Sequence, residues 1–221
     1  MERAFTVQQR SGRRREATRE EILSAAQRLL EQGEPLAALS VNRIAAEAGV
    51  SRATFYLHFP GKRDLLAQLA AQEVLEWDEI AAPFFANPEA GRDELERVAA
   101  GVVAMWREHA GVLGGLVELA EYDTEARETW RAAVGQIGAT IAAALRERSP
   151  ELTAAEADTL GQMVAWMGER SLHQMVGAQA DDETMDRVAH ALTDAVWRIA
   201  EARPRNPAVD LTDSLPGSRQ L

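Results

Sequence analysis

The 221-residue chain contains no cysteine. That absence excludes a disulfide framework and a thiolate site of any kind. No apolar run comes near the roughly 18 residues of a membrane-spanning helix, and the N-terminus has no apolar signal-peptide core. Strand-like alternation and internal repeats are also missing. These absences lead to the expectation of an all-α, soluble, cytoplasmic protein with no membrane partner. Hydrophobic residues make up 46% of the chain, ordinary for a globular protein. The length allows one small and one larger domain, each with its own core.

Positive charge is scarce overall, with 24 Lys+Arg against 35 Asp+Glu and a net charge of -11. The scarcity is uneven. Residues 1–63 hold 11 Lys+Arg against 7 Asp+Glu, and the remainder 13 against 28. A basic N-terminal part suits contact with a polyanion. The acidic remainder reads equally well as a solvated surface.

Enzyme constellations are absent as well. There is no Glu-x-x-His of inward-facing bundle oxidases, no His-Glu-x-x-His and no strand-linked glycine-rich phosphate loop. Glu118, Glu121 and Asp123 are acids near a helix end, commonly solvated. The expectation is a protein without catalytic residues, metal or cofactor.

What is present is concentrated between Ser40 and Arg63, in SVNRIAAEAGVSRATFYLHFPGKR. Val41, Ile44, Ala45 and Ala48 fall on one helical face. Ser40 can cap that helix, and Gly49 can end it in the left-handed conformation. Ser51 offers a second cap two residues later, and Pro60 closes a second helix. Two short helices joined by such a turn form a helix-turn-helix, whose second helix fits the major groove of DNA. Phe55 and Phe59 supply that helix's packing stripe. Arg52, Ala53, Thr54, Tyr56, Leu57 and His58 are left to face outward, and Arg, Thr, Tyr and His suit phosphates and base edges. Lys62 opens the next helix, where its ammonium can form a phosphate clamp.

The run AAEAGVSRATFYLHFPGKRDLL, with its T-F-Y-x-H-F-x-x-K core, resembles the DNA-binding segment of TetR-type transcriptional repressors. The resemblance implies DNA contacts from Ser51, Arg52, Thr54, Tyr56, His58 and Lys62, with Ser40 and Asn42 at the preceding helix's start. An amphipathic helix reads from Gly61 to about Ala81, stopped by Pro83, and the resemblance implies that it is the connecting helix, with a four-helix dimer interface from the last two long helices.

The remaining chain reads as helices. Thr18 with Glu21 suggests a capping box, before a stripe of Ile22, Ala25, Ala26, Leu29 and Leu30. Residues 1–17, with Arg10, Arg13, Arg14 and Arg15, are expected to be a flexible basic arm. Beyond the connecting helix, stripes run through Leu95 to Trp106, Trp130 to Leu145 and Met185 to Ile199. A looser helix spans Val112 to Ala120 beside Gly111, Gly114 and Gly115. Thr153 and Glu156 form another capping box. About nine helices are expected, in a DNA-binding domain over 18–62 and a ligand-binding and dimerisation domain over 63–203. A disordered tail is expected over 204–221.

The helix from Leu160 to Val176 is apolar on more than one side, which a homodimer would explain. All five tryptophans, Trp77, Trp106, Trp130, Trp166 and Trp197, lie outside the DNA-binding part. Singly each reads as core; together with Met105, Met163 and Met167 they suit an apolar ligand. Glu169 and His173, four apart, are either a satisfied pair or a polar handle inside an oily pocket. The segment MVAWMGERSLHQMVG is similar to the second domain of family members that hold a hydrophobic ligand in a tunnel. That similarity implies ligand contacts from Trp106, Trp130, Val134, Ile137, Ala165, Gly168, Glu169, His173 and Trp197. The function expected is a homodimeric repressor on a palindromic double-stranded DNA operator, released by a small hydrophobic ligand.

Overall fold

A computed structural model of the chain describes residues 2–36, 38–85 and 87–201. Among the described residues there are nine α-helices and no strand. They are α1 (Glu2–Glu31), α2 (Val41–Glu47), α3 (Arg52–His58), α4 (Lys62–Phe85), α5 (Arg92–Glu108), α6 (Ala110–Tyr122), α7 (Thr124–Arg148), α8 (Ala154–Met175) and α9 (Asp182–Glu201). The expected tail over 204–221 lies outside the described residues.

Helices α1 to α3 form the small N-terminal unit. Ile22, Ala25, Ala26 and Leu29 of α1 meet Ile44 of α2 and Phe55 and Phe59 of the α3 region, all fully buried. The two rings sit 5.7 Å apart between centroids. Ser40 Oγ accepts from the Arg43 N–H, and Ser51 Oγ from the Thr54 N–H, so both short helices start on a side-chain cap. Gly49 has φ 64, the left-handed turn that lets α2 end and α3 begin so close together.

Two local signals give way to longer-range structure. No break separates an arm over 1–17 from the first helix, because α1 runs back to Glu2. Thr18 Oγ1 donates to the Arg14 carbonyl at 3.0 Å, so this threonine sits inside a helix instead of capping one. Nor does Pro83 stop α4, which continues to Phe85. Near a helix end proline forfeits one hydrogen bond. The lost bond is offset by Phe84, which is buried, and by Arg148, whose guanidinium lies 4.0 Å from that ring's centroid and donates to the carbonyls of Phe84, Asn87 and Ala90.

The C-terminal unit wraps α4 to α9 around one interior. Thr153 and Glu156 make the expected capping box at the start of α8. Helices α7 and α8 approach closely because α8 has Gly161 where a Cβ would collide with the Gly138 carbonyl oxygen. The glycines of α6 do not loosen it; α6 is a regular helix. Gly111 presses on the end of α1, where a Cβ would lie 2.5 Å from the Leu30 carbonyl oxygen. This is a packing surface between the two units.

Candidate nucleic-acid interface and interior cavity

The outer face of α3 carries Arg52, Tyr56 and Leu57, with Tyr56 42% and Leu57 71% exposed. Tyrosine and leucine held this far out of a core invite a partner surface. The Arg52 guanidinium lies 5.5 Å from the Tyr56 ring centroid, and Nη2 is 3.4 Å from the phenol oxygen. Ser51 is exposed and Thr54 half-buried, their hydroxyls 2.8 Å apart. Ser40 and Asn42 are exposed at the neighbouring start of α2. The structure therefore brings together most of the residues expected to meet DNA.

His58 is half-buried at the C-terminal end of α3. Burial, then the positive charges of Arg15 and Arg19, push its pKa below the ordinary value. It presents a neutral imidazole, which can donate and accept but not ion-pair. Those arginines are residues that the sequence reading missed in this role. Arg19 Nη1 donates to the His58 carbonyl at 3.0 Å, Nη2 to Gln68 at 3.0 Å, and its guanidinium lies over the Phe59 ring at 4.6 Å. Arg15 reaches the Leu57 carbonyl at 3.4 Å. Together they neutralise the negative end of α3 and fix its tilt on α1.

Lys62 is half-buried at the start of α4. Its ammonium donates to the Leu36 carbonyl, and burial lowers its pKa. The side chain braces the α1–α2 connection onto α4. Its neighbour Arg63 pairs with Glu125 at the start of α7, a second tie between the units.

Inside the C-terminal unit lies a cavity of about 140 Å³. That is close to the roughly 150 Å³ of an engineered apolar cavity able to hold benzene. Trp77, Met105, Trp106, Trp130, Val134 and Ile137 are among its walls, with Ala165 and Gly168 from α8. Of the nine residues expected there, seven line it; His173 and Trp197 do not. Trp197 packs beside Phe84, Ala90 and Leu95. Met163 and Trp166 also depart from expectation, being 60% and 36% exposed on the outer side of α8.

The Glu169–His173 pair is not formed; Glu169 Oε1 instead accepts from Trp130 Nε1 at 3.3 Å. A second carboxylate in the wall, Glu73 of α4, was not anticipated. Its Oε2 lies 2.8 Å from His109 Nδ1, and Glu76 lies 3.6 Å from the same nitrogen. Hydrogen bonding to Glu73, opposed by burial and aided by surrounding carboxylates, raises the His109 pKa to about 9. Burial raises that of Glu73. Glu73, Glu76 and His109 are close enough to hold a cation. A protonated His109 between two carboxylates accounts for the same closeness without one.

A chain that exposes a capped α3 on a small helical unit, tied to a larger helical unit with an apolar interior, is a helix-turn-helix DNA-binding regulator. Residues 22–69 match the family described as bacterial regulatory proteins, tetR family. Residues 22–69 thus carry the DNA-binding segment of TetR-family transcriptional regulators, a non-enzymatic family. It is 29% identical over 185 residues to the HTH-type transcriptional regulator EthR of Mycobacterium tuberculosis, covering 80% of this chain and 83% of that protein. A TetR-family regulator from Mesorhizobium loti superposes with a TM-score of 0.63 at 20% identity, covering 84% of this chain and 98% of that one. FadR of Bacillus subtilis, solved in complex with stearoyl-CoA, gives 0.64 at 17%, covering 82% and 97%. At such identities these two likenesses concern the fold. No described helix is long and apolar enough to cross a membrane.

Proposed function

We propose that this regulator is a homodimeric repressor that binds a palindromic operator and leaves it when a small hydrophobic molecule fills the cavity. The observation that carries the reading is the shared helix: α4 starts directly after α3 and contributes Glu73, Val74 and Trp77 to the cavity wall. A ligand that repositions α4 changes the placing of α3. It need only bind the two arrangements with different affinity.

Arg52, Tyr56, Thr54 and Ser51 are assigned to the groove and its phosphates, Ser40 and Asn42 to the backbone, and His58 to an uncharged hydrogen bond. Lys62 is assigned to bracing. The DNA-binding part is taken as residues 18–62 and the ligand and dimer part as 63–203, with α4 crossing between them. Dimerisation is supported by the outer side of α8, where Met163, Trp166 and Met175 stand exposed. Two copies would set their α3 helices roughly 34–36 Å apart, one turn of duplex. The FadR complex with stearoyl-CoA supports an apolar ligand in this fold.

The test is selection of bound duplexes from a random pool, repeated with apolar compounds. A palindrome enriched without compound and depleted with one is the expected outcome. Enrichment of a half-site alone, or of nothing, refutes the dimeric repressor.

A further inference from the structure

The cavity is almost wholly apolar, yet two carboxylates reach its wall from opposite elements. Glu73 on α4 is 4% exposed and Glu169 on α8 is 6% exposed. Each has one engaged oxygen and one without a hydrogen-bond partner: Oε1 of Glu73 and Oε2 of Glu169. The nearest cation to the free Glu169 oxygen is Arg170 Nε at 3.9 Å, beyond hydrogen-bond distance. Among the described residues, no lysine, arginine or histidine lines the cavity. Buried carboxylate oxygens left without donors are unfavourable, and they persist where a ligand supplies the donor.

Glu169 and Trp130 also line an outer groove with Arg127, Arg131, Trp166 and Arg170. The Trp130–Glu169 hydrogen bond thus belongs to the wall shared by groove and cavity. An anionic head coming from the groove would meet the Glu169 carboxylate there. Of the three arginines in the groove, Arg127 is held by the carbonyls of Ala120 and Glu121 at 2.8 and 2.6 Å, and Arg131 and Arg170 line the groove but not the cavity.

We propose that the cavity takes an apolar molecule bearing a protonated amine, whose N–H groups are received by the free oxygen of Glu169 in the shared wall and, for a head that reaches further, by that of Glu73. This assignment rests on the ligand-responsive reading above and names the chemistry of its ligand. An aliphatic carboxylic acid of the same length is disfavoured, because it brings an anion to two carboxylates with no cation in the wall.

The test compares octylamine, octanol and octanoate on the full-length protein by quenching of tryptophan fluorescence, Trp77, Trp106 and Trp130 all being wall residues. The expected order is octylamine tightest, octanol next, and octanoate weaker than octylamine by about tenfold or more, the scale of a charge-assisted hydrogen bond. Glu169→Gln, with its fold checked by circular dichroism, should weaken octylamine about tenfold and octanol less. Octanoate binding as tightly as octylamine overturns the assignment, and so does an equal loss for octylamine and octanol in Glu169→Gln. The wild-type ranking stands by itself should the variant misfold. If none of the three binds, the ligand-pocket reading falls as well; if octanol binds and the amine gains nothing, only the head-group assignment fails.

Discussion

Raising the pH should unfold this protein more easily across a window set by His109. The imidazole is held at about 9 against an ordinary 6.5, first by its hydrogen bond to Glu73. A group whose folded pKa lies above its unfolded value contributes its full stability below the unfolded pKa and loses it as pH rises through the folded one. The window therefore runs from about 6.5 up to and past about 9. At about 1.4 kcal/mol per pH unit the displacement has a ceiling of about 3 kcal/mol. Two effects reduce it. His109 retains 24% exposure of its side chain, so solvent screens the pair. The pKa of Glu73 is itself raised, because burial penalises its charge more than the bond to His109 favours it, so the pair is worth less than the His109 displacement alone implies. A net loss of about 1–2 kcal/mol is the reasoned figure after that discount. The assay is urea unfolding followed by tryptophan fluorescence at closely spaced pH values, for wild type and His109→Gln. No thiol titrates in this window, since the chain has no cysteine. The wild-type midpoint should fall through the window and the variant's should stay nearly level. A flat wild-type profile, or a fall of equal size in the variant, refutes the ion-pair account.

Phe55→Ala removes a fully buried ring and should cost about 3–5 kcal/mol in chemical denaturation, with DNA binding lost through unfolding. Arg52→Ala and Tyr56→Ala should leave the unfolding midpoint within about 0.5 kcal/mol of wild type yet weaken binding to a selected operator; unchanged affinity in both would discard the α3 surface as the contact. Lys62→Met should lower stability by about 1 kcal/mol through the lost bond to Leu36, with the salt dependence of DNA binding unaltered. A fall of about one in the slope of log affinity against log salt would instead make Lys62 a phosphate contact. Gly111→Ala should destabilise by about 1–3 kcal/mol, because the atoms in its way are main chain.

The parts legible in the sequence are those specified within a few residues. Ser40, Gly49, Ser51 and the Phe55–Phe59 spacing define two caps, a turn and a packing stripe, and all four appear as expected. What escaped depends on partners far along the chain. Arg19 meets His58 thirty-nine positions away, and Arg148 holds the end of α4 past Pro83 from sixty-odd positions away. Lys62 reads as an exposed cation until Leu36 is placed beside it. The cavity residues show a different limit. Helical periodicity marks a face but not its edge: Glu169 and Leu172 line the cavity, and His173, only about 40° round from Glu169, does not. Glu73 carried no signal at all, since one acid in a helix rich in them looks solvated until the fold buries it.

The position of Glu73 joins these observations into a mechanical argument. Its side chain lines the cavity with one oxygen lacking a hydrogen-bond partner, and its other oxygen holds His109 at the corner between α5 and α6. Two residues further on, Gly111 presses against the main chain of Leu30 in α1, the helix whose Arg15 and Arg19 hold the end of α3. A group that engages the free oxygen of Glu73 from inside shares that carboxylate with His109, and the α5–α6 corner has backbone behind it and little slack. Packed contacts of this kind switch between discrete arrangements instead of stretching. On this route α6 and α1 would carry ligand occupancy to α3 alongside α4. His109→Gln would then weaken the coupling between ligand and operator while leaving ligand affinity itself largely intact, measurable as the ratio of operator affinities with and without a saturating apolar compound. An unchanged ratio would assign the whole of the coupling to α4.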